Sequence, residues 1–258
     1  LESTDYPEWR KKELRIVEDA RLMGVPVSSV NVVNPFCKIE SLEGFKDNRI
    51  INARCDLAKC AYGPLVKSIE REVYECIPEF VKHQPITNYP SLISEYCTPS
   101  PGQTVLATDY TSFEGHFDPK LMRACECQLY HYMSKSLICN QFCDCIAGTN
   151  VCKSKICSYT VSGCRMSGDM CTSLGNGFTN LMIIKYLVHK RGGTMSGFVE
   201  GDDGIFRITG KVPTSADYAA LGFNIKIEKV EDPELASFCG QIYSRTAREI
   251  VVDPIYTL

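Results

Sequence analysis

Ser196-Gly197-Phe198-Val199-Glu200-Gly201-Asp202-Asp203-Gly204-Ile205-Phe206-Arg207-Ile208 is the stretch on which the reading of this chain turns. Two apolar runs flank Gly-Asp-Asp-Gly. That is the pattern of a β-hairpin with two adjacent carboxylates at its tip and glycines giving the tight turn its backbone freedom. Neighbouring aspartates repel, and a divalent cation is the usual device for holding such a pair by cancelling its charge. An isolated Gly-Asp-Asp is more often an ordinary solvated hairpin, because short motifs match by chance. The rest of the chain decides between the two.

Upstream of the hairpin, Ser167-Gly-Asp-Met-Cys-Thr-Ser-Leu-Gly-Asn-Gly-Phe-Thr-Asn180 runs into an apolar stretch that ends near Val188, before Gly192-Gly193. A loop-to-helix transition near Asp169 puts Thr172, Asn176 and Asn180 on one face, at i, i+4 and i+8. Small polar side chains in that row suit hydrogen bonding to a polyhydroxyl ligand. Gly175 and Gly177 each cost about 1 kcal/mol in a helix interior, which makes sense where a backbone must approach closely. Further back, Thr104 to Asp109 reads as a strand ending in a carboxylate. Tyr110 to Phe117 is a turn, and Asp118-Pro119 caps a helix through about Met133. Glu114, five residues past Asp109, is near enough to face the same pocket. Downstream, Ser215–Leu221 reads as a short helix and Gly222–Val230 as an alternating strand. Ala236–Tyr243 and Glu249–Val252 read as a last pair of strands.

The N-terminal part begins with helical spacing over Glu8–Leu22 (Leu14, Val17, Leu22). An extended segment from Val30 is broken by Pro35, and Phe45–Arg54 reads as a charged strand. Lys38, Lys46, Arg49 and Arg54 could line a phosphate-binding surface, although Glu40, Glu43 and Asp47 nearly balance them. A second helix is expected over Tyr62–Phe80, with Gly63-Pro64 at its start. The proline-rich passage His83–Gly102 reads as loop. Ser134–Cys164 reads as Cys-rich loops with a hairpin formed by Val151–Lys155 and Ser158–Val161.

A chain of 258 residues can bury a sizeable core. Its net charge of −3 carries no global signature of nucleic-acid binding, so any such site must be a local basic patch. No apolar run approaches the roughly 20 residues of a membrane-spanning helix, and Leu1 to Arg15 is too charged for a signal peptide. The 15 cysteines therefore read as reduced cytosolic thiols. The densest cluster, Cys139, Cys143, Cys145, Cys152, Cys157 and Cys164, lacks paired C-x2-C spacing, which argues against a structural zinc.

Taken in order, Asp109-x4-Glu114, Ser167-Gly168-x3-Thr172-x3-Asn176 and Gly201-Asp202-Asp203 resemble motifs A, B and C of the palm of positive-strand RNA virus RNA-dependent RNA polymerases. The segment from Lys38 to Arg54 resembles the basic motif F of the fingers. Gly222-Phe223 with Lys226 resembles motif D, and Phe238-Cys239-Gly240 resembles motif E. The Ser-Gly-Asp-Met-x-Thr-Ser-Leu-Gly-Asn run is especially similar to tombusvirus- and nodavirus-like polymerases. The resemblance covers roughly residues 30 to 245.

It implies an α+β right-hand polymerase, with an antiparallel-sheet palm, helices beneath it, partial fingers and a thumb largely absent. Residues 1–100 would be partial fingers and 101–233 the palm, with a Cys-rich fingers-side insertion near 134–164. Residues 234–258 would be the motif E strands, so the chain reads as an excised core. The implied activity is RNA synthesis from ribonucleoside triphosphates on an RNA template. Asp109 and Asp202 would hold two Mg²⁺ ions (Mn²⁺ as substitute), with Asp203 assisting. Lys38, Arg49 and Arg54 would face the triphosphate. Lys226, or Lys229, would protonate pyrophosphate. Ser167, Thr172 and Asn176 would recognise the ribose and the template side, with Asp169 capping the helix and orienting that network.

The resemblance further implies RNA template, nascent RNA and viral replication-complex proteins as partners. The setting would be the host cytoplasm, at a membrane-associated complex reached through regions or partners outside this chain. Two features depart from the family pattern: Glu114 stands where Asp is usual, and Cys171 where close relatives often carry Asn. The runner-up enzyme is a reverse transcriptase on a related palm, which more often has an aromatic two residues before the paired Asp, where Glu200 stands here. The non-enzymatic alternative is an inactive palm-like module that binds RNA or protein.

Overall fold

A computed structural model describes residues 4–25, 29–39, 48–244 and 249–252. Lys46, Glu40, Glu43 and Asp47 lie outside these residues. The chain folds as α+β, in two compact units each assembled from separate chain segments: residues 1–70 with 117–172, and 71–116 with 173–258.

The first unit opens with α1 (Glu8–Leu22), which buries Leu14 and is tied by Arg10 to Asp56 at 2.8 Å. Its sheet has the order β2-β1-β4-β5, from β1 (Val32–Cys37), β2 (Ile50–Arg54), β4 (Thr149–Lys153) and β5 (Ser158–Ser162). Pro35 does not break β1. It pairs opposite Asn52, beyond the two residues of β1 that also pair with β4, where the missing N–H costs no ladder bond on that side. Helix α2 (Asp56–Cys76) starts six residues before the expected Tyr62, and Pro64 lies inside it. The expected helix over 118–133 is two, α4 (Pro119–Ala124) and α5 (Glu126–Met133), because Cys125 leaves helical geometry at φ −117°, ψ −87°. Asp118 caps the first as expected, its carboxylate accepting the Leu121 N–H at 2.7 Å. The Cys-rich segment read as loop contains α6 (Leu137–Ile146), capped by Ser136, before the expected β4–β5 hairpin.

The second unit is built on an antiparallel sheet of order β6-β7-β3-β8, from β3 (Gln103–Tyr110), β6 (Thr194–Glu200), β7 (Asp203–Thr209) and β8 (Ile225–Val230). Its apolar face, with Val105, Ala107, Phe198 and Ile205, packs on Ile93 and Cys97 of α3 (Tyr89–Cys97). That helix lies in the passage read as loop, with Pro90 in its first turn, where the ring is tolerated. Helix α7 (Thr172–Lys190) buries Asn176, Thr179 and Asn180 along with its apolar residues. A short α8 (Ser215–Ala219) follows, and the hairpin β9 (Gln241–Ser244) with β10 (Glu249–Val252) closes the described chain. No helix among the described residues is long and apolar enough to cross a membrane.

Candidate active site

In the second unit the ladder between β3 and β7 runs to Thr108 opposite Gly204, so its next step brings Asp109 beside Asp203. Across the other edge of β3, Asp109 is paired with Lys226. Glu200 pairs with Asp203 to close the β6–β7 hairpin, leaving Gly201-Asp202 as a two-residue turn. The strand-end carboxylate and the hairpin carboxylates thus meet at one end of the sheet.

Two features of α7 hold that turn. The buried Asn180 amide nitrogen donates to the backbone carbonyls of Gly201, Asp202 and Asp203, at 3.4, 3.1 and 3.1 Å. Gly177 lets the helix approach: a Cβ there would stand 2.9 Å from the Phe80 ring and 3.5 Å from the Gly201 nitrogen. One turn earlier, Asn176 donates from Nδ2 to Glu114 at 3.2 Å, while its buried Oδ1 has no partner. The longer side chain of Glu114 is thus used to reach across to α7.

Burial, followed by the charges of Asp202, Asp109 and Glu200, pushes the Asp203 carboxyl up to about 7. The Cys239 thiol pulls the other way by hydrogen bonding. Lys82 offsets part of this charge, contacting Glu200 at 3.6 Å and the Ser173 hydroxyl at 3.0 Å. A cluster of oxygen donors with excess negative charge fits a hard cation such as Mg²⁺. Among the described residues only His131, Cys139 and Cys143 gather their ligand atoms within 4.8 Å, so the aspartates would have to draw in around an ion.

The remaining candidates lie in the first unit. Lys38 and Arg49 are exposed where β1 and β2 end, joined by the Lys38 N–H to the Arg49 carbonyl at 2.8 Å. Arg54 stands differently from the expectation that it faces a triphosphate. Only 2 % exposed, it donates to both carboxylate oxygens of Asp169 at 2.7 Å and to the side-chain Oδ1 of Asn150 at 2.7 Å, which occupies its guanidinium. Asp169 is accordingly a buried ion-pair partner. Ser167 accepts the Asn52 N–H at 3.1 Å, and Gly168 forms a bridge with Ala53, so close that a Cβ would lie 2.9 Å from the Ala53 Cα. The Ser-Gly-Asp run therefore zips onto β2. Thr172 donates its hydroxyl to the Met166 carbonyl at 3.0 Å. Cys171 is buried against Arg165, which forms an ion pair with the fully buried Glu126.

The sequence pattern puts Asn180 on the polar face of its helix but assigns it no task, and it does not mark Lys82, Glu200 or Cys239 as site residues. Asn180 was within reach, being spaced i+4 from Asn176. The others have no local signal.

The model of the family described as viral RNA-dependent RNA polymerase matches residues 60–257. The chain belongs to that family. One relative is an RNA-directed RNA polymerase of Groundnut rosette virus (strain MC1), 34% identical over 94 residues. That match covers 34% of this chain and 11% of the relative, so the chain spans only a small part of that protein's length.

Proposed function

We propose that the chain carries the nucleotidyl-transfer centre of an RNA-directed RNA polymerase that copies viral RNA from ribonucleoside triphosphates. The second unit is the palm and the first supplies part of the fingers. The observation that carries this reading is the β3–β7 ladder, which delivers Asp109 to a hairpin turn bearing Asp202 and Asp203 and held by Asn180. Two Mg²⁺ ions held by Asp109 and Asp202, with Asp203 assisting, would neutralise charge on the attacking and leaving oxygens of an in-line transfer.

The chain's own groups do the rest. Lys226, paired across from Asp109, gives a proton to the departing pyrophosphate. Lys38 and Arg49 bind the triphosphate electrostatically. Asn176 accepts the ribose 2′-hydroxyl at its unpartnered Oδ1, while Glu114 fixes the amide's orientation. Ser167, Asp169 and Arg54 set the loop that precedes α7, a positioning role. Template, nascent RNA and replication-complex proteins in the host cytoplasm are the corresponding partners.

The test is nucleotide choice by the intact polymerase containing this chain, on an RNA primer–template. Ribonucleotides should be strongly preferred, and Asn176→Ala should narrow the preference about 5- to 100-fold, the worth of one such hydrogen bond. Equal use of deoxynucleotides by the unaltered enzyme would overturn the reading.

A further inference from the structure

In the first unit, α5 and α6 pack together across the short connection Ser134–Ser136. Cys127 and His131 stand one turn apart on α5, and Cys139 and Cys143 one turn apart on α6, so each pair shares a helix face. The two faces meet. The His131 ring nitrogen and the Cys139 and Cys143 sulfurs all lie within 4.8 Å of one another. The Cys143 thiol is also within hydrogen-bonding reach of both Cys139 and Cys127. We infer that Cys127, His131, Cys139 and Cys143 form a Zn²⁺ site that clips α5 to α6.

Three thiols and an imidazole are a soft donor set that suits Zn²⁺ in a closed tetrahedral site. Zn–S bonds of about 2.3 Å place tetrahedral ligand atoms about 3.8 Å apart, so His131, Cys139 and Cys143, already within 4.8 Å of one another, need only a small inward shift, and Cys127 would have to come in further as the fourth ligand. The cysteines are 0–1 % exposed, and the half-buried His131 leaves a way in from solvent. Ordinary burial of cysteine as a small hydrophobe does not call for this convergence. Cys145 and Cys152 of the same unit are placed singly: the first donates to the Val30 carbonyl at 3.6 Å, and the second packs with Val33 and Met166. None of the cysteines is in a disulfide.

On binding, each thiol gives its proton to solvent as its thiolate takes the ion. The clip would steady Glu126, next to Cys127, and with it the buried Arg165 that precedes the Ser167-Gly168-Asp169 run. The ligand spacing is C-x3-H and C-x3-C on two helices, which a search for C-x2-C pairs passes over.

The site is tested on the intact polymerase purified under reducing conditions, by elemental analysis and by Co²⁺ substitution. About one zinc per chain is expected, and Co²⁺ should give thiolate charge-transfer absorption with the strong visible bands of tetrahedral coordination. Cys143→Ser and His131→Ala should each lose the metal, whereas Cys157→Ser should keep it. Asp202→Asn should keep it too, so that a failure here and a failure of the polymerase reading are separately visible. Should the ligand variants misfold, the Co²⁺ titration of the unaltered protein decides alone. Absence of both zinc and the charge-transfer band, or a band unchanged in a folded Cys139→Ser/Cys143→Ser variant, would overturn the inference.

Discussion

Asp109 and Lys226 are directly paired across the antiparallel β3–β8 ladder. Residues so paired project from the same face of a sheet, which puts Lys226 on the same face as the strand-end carboxylate. If Lys226 is a proton donor, Lys226→Ala should slow extension about 100-fold at saturating nucleotide. Lys226→Arg should not restore the rate, because a guanidinium holds its proton too firmly to give it up. Single-turnover extension with both variants checks this. Full rescue by arginine would mean that only the positive charge matters.

The Asn180 carboxamide serves three carbonyls of the hairpin turn. Asn180→Ala leaves them without that donor in a half-buried turn, at a cost of about 1–3 kcal/mol. Thermal and urea melts should record that loss, and extension should fall with it as the turn loses its fixed position. Asn180→Asp, which keeps the shape but sets an acceptor and a new charge against those carbonyls, should be more damaging.

Arg54 and Asp169 form a buried two-pronged ion pair between residues 115 positions apart. Removing either partner leaves a buried charge uncompensated, so Arg54→Ala should destabilise the protein by about 3–5 kcal/mol in urea unfolding. Arg54→Lys should recover little, since an ammonium cannot span both oxygens. Whatever activity survives should show an almost unchanged KM for nucleotide. A large rise in KM without loss of stability would return Arg54 to the triphosphate.

That pair shows where sequence reading reached and where it stopped. The hairpin, the strand ending at Asp109 and the helix bearing Asn176 and Asn180 were legible, because each is written in local periodicity and turn chemistry. Arg54 and Asp169 each look available for a ligand until the fold brings them together, and nothing local announces a partner so distant. Helix α6 is hard to see in the sequence because its buried positions Cys139, Phe142, Cys143 and Ile146 follow helical spacing only if cysteine is counted as a hydrophobe. Helix α3 was hidden by prolines, although Pro90 sits where a helix accepts one. The start of α2 is obscured for the converse reason: Gly63-Pro64 resembles a helix start, but the helix runs through it from Asp56.

In the proposed mechanism Asp109 and Asp202 together bind the catalytic cations. Burial and three neighbouring carboxylates hold Asp203 at about 7, a sign of negative charge that a cation would relieve. The most direct measurement is Mg²⁺-dependent extension of an RNA primer–template by the intact polymerase carrying Asp109→Asn or Asp202→Asn. Loss of a ligand worth several kcal/mol to the transition state predicts a fall of about a thousandfold or more in either variant, with folding intact by melting. Extension by either folded variant at close to the unaltered rate would contradict the account.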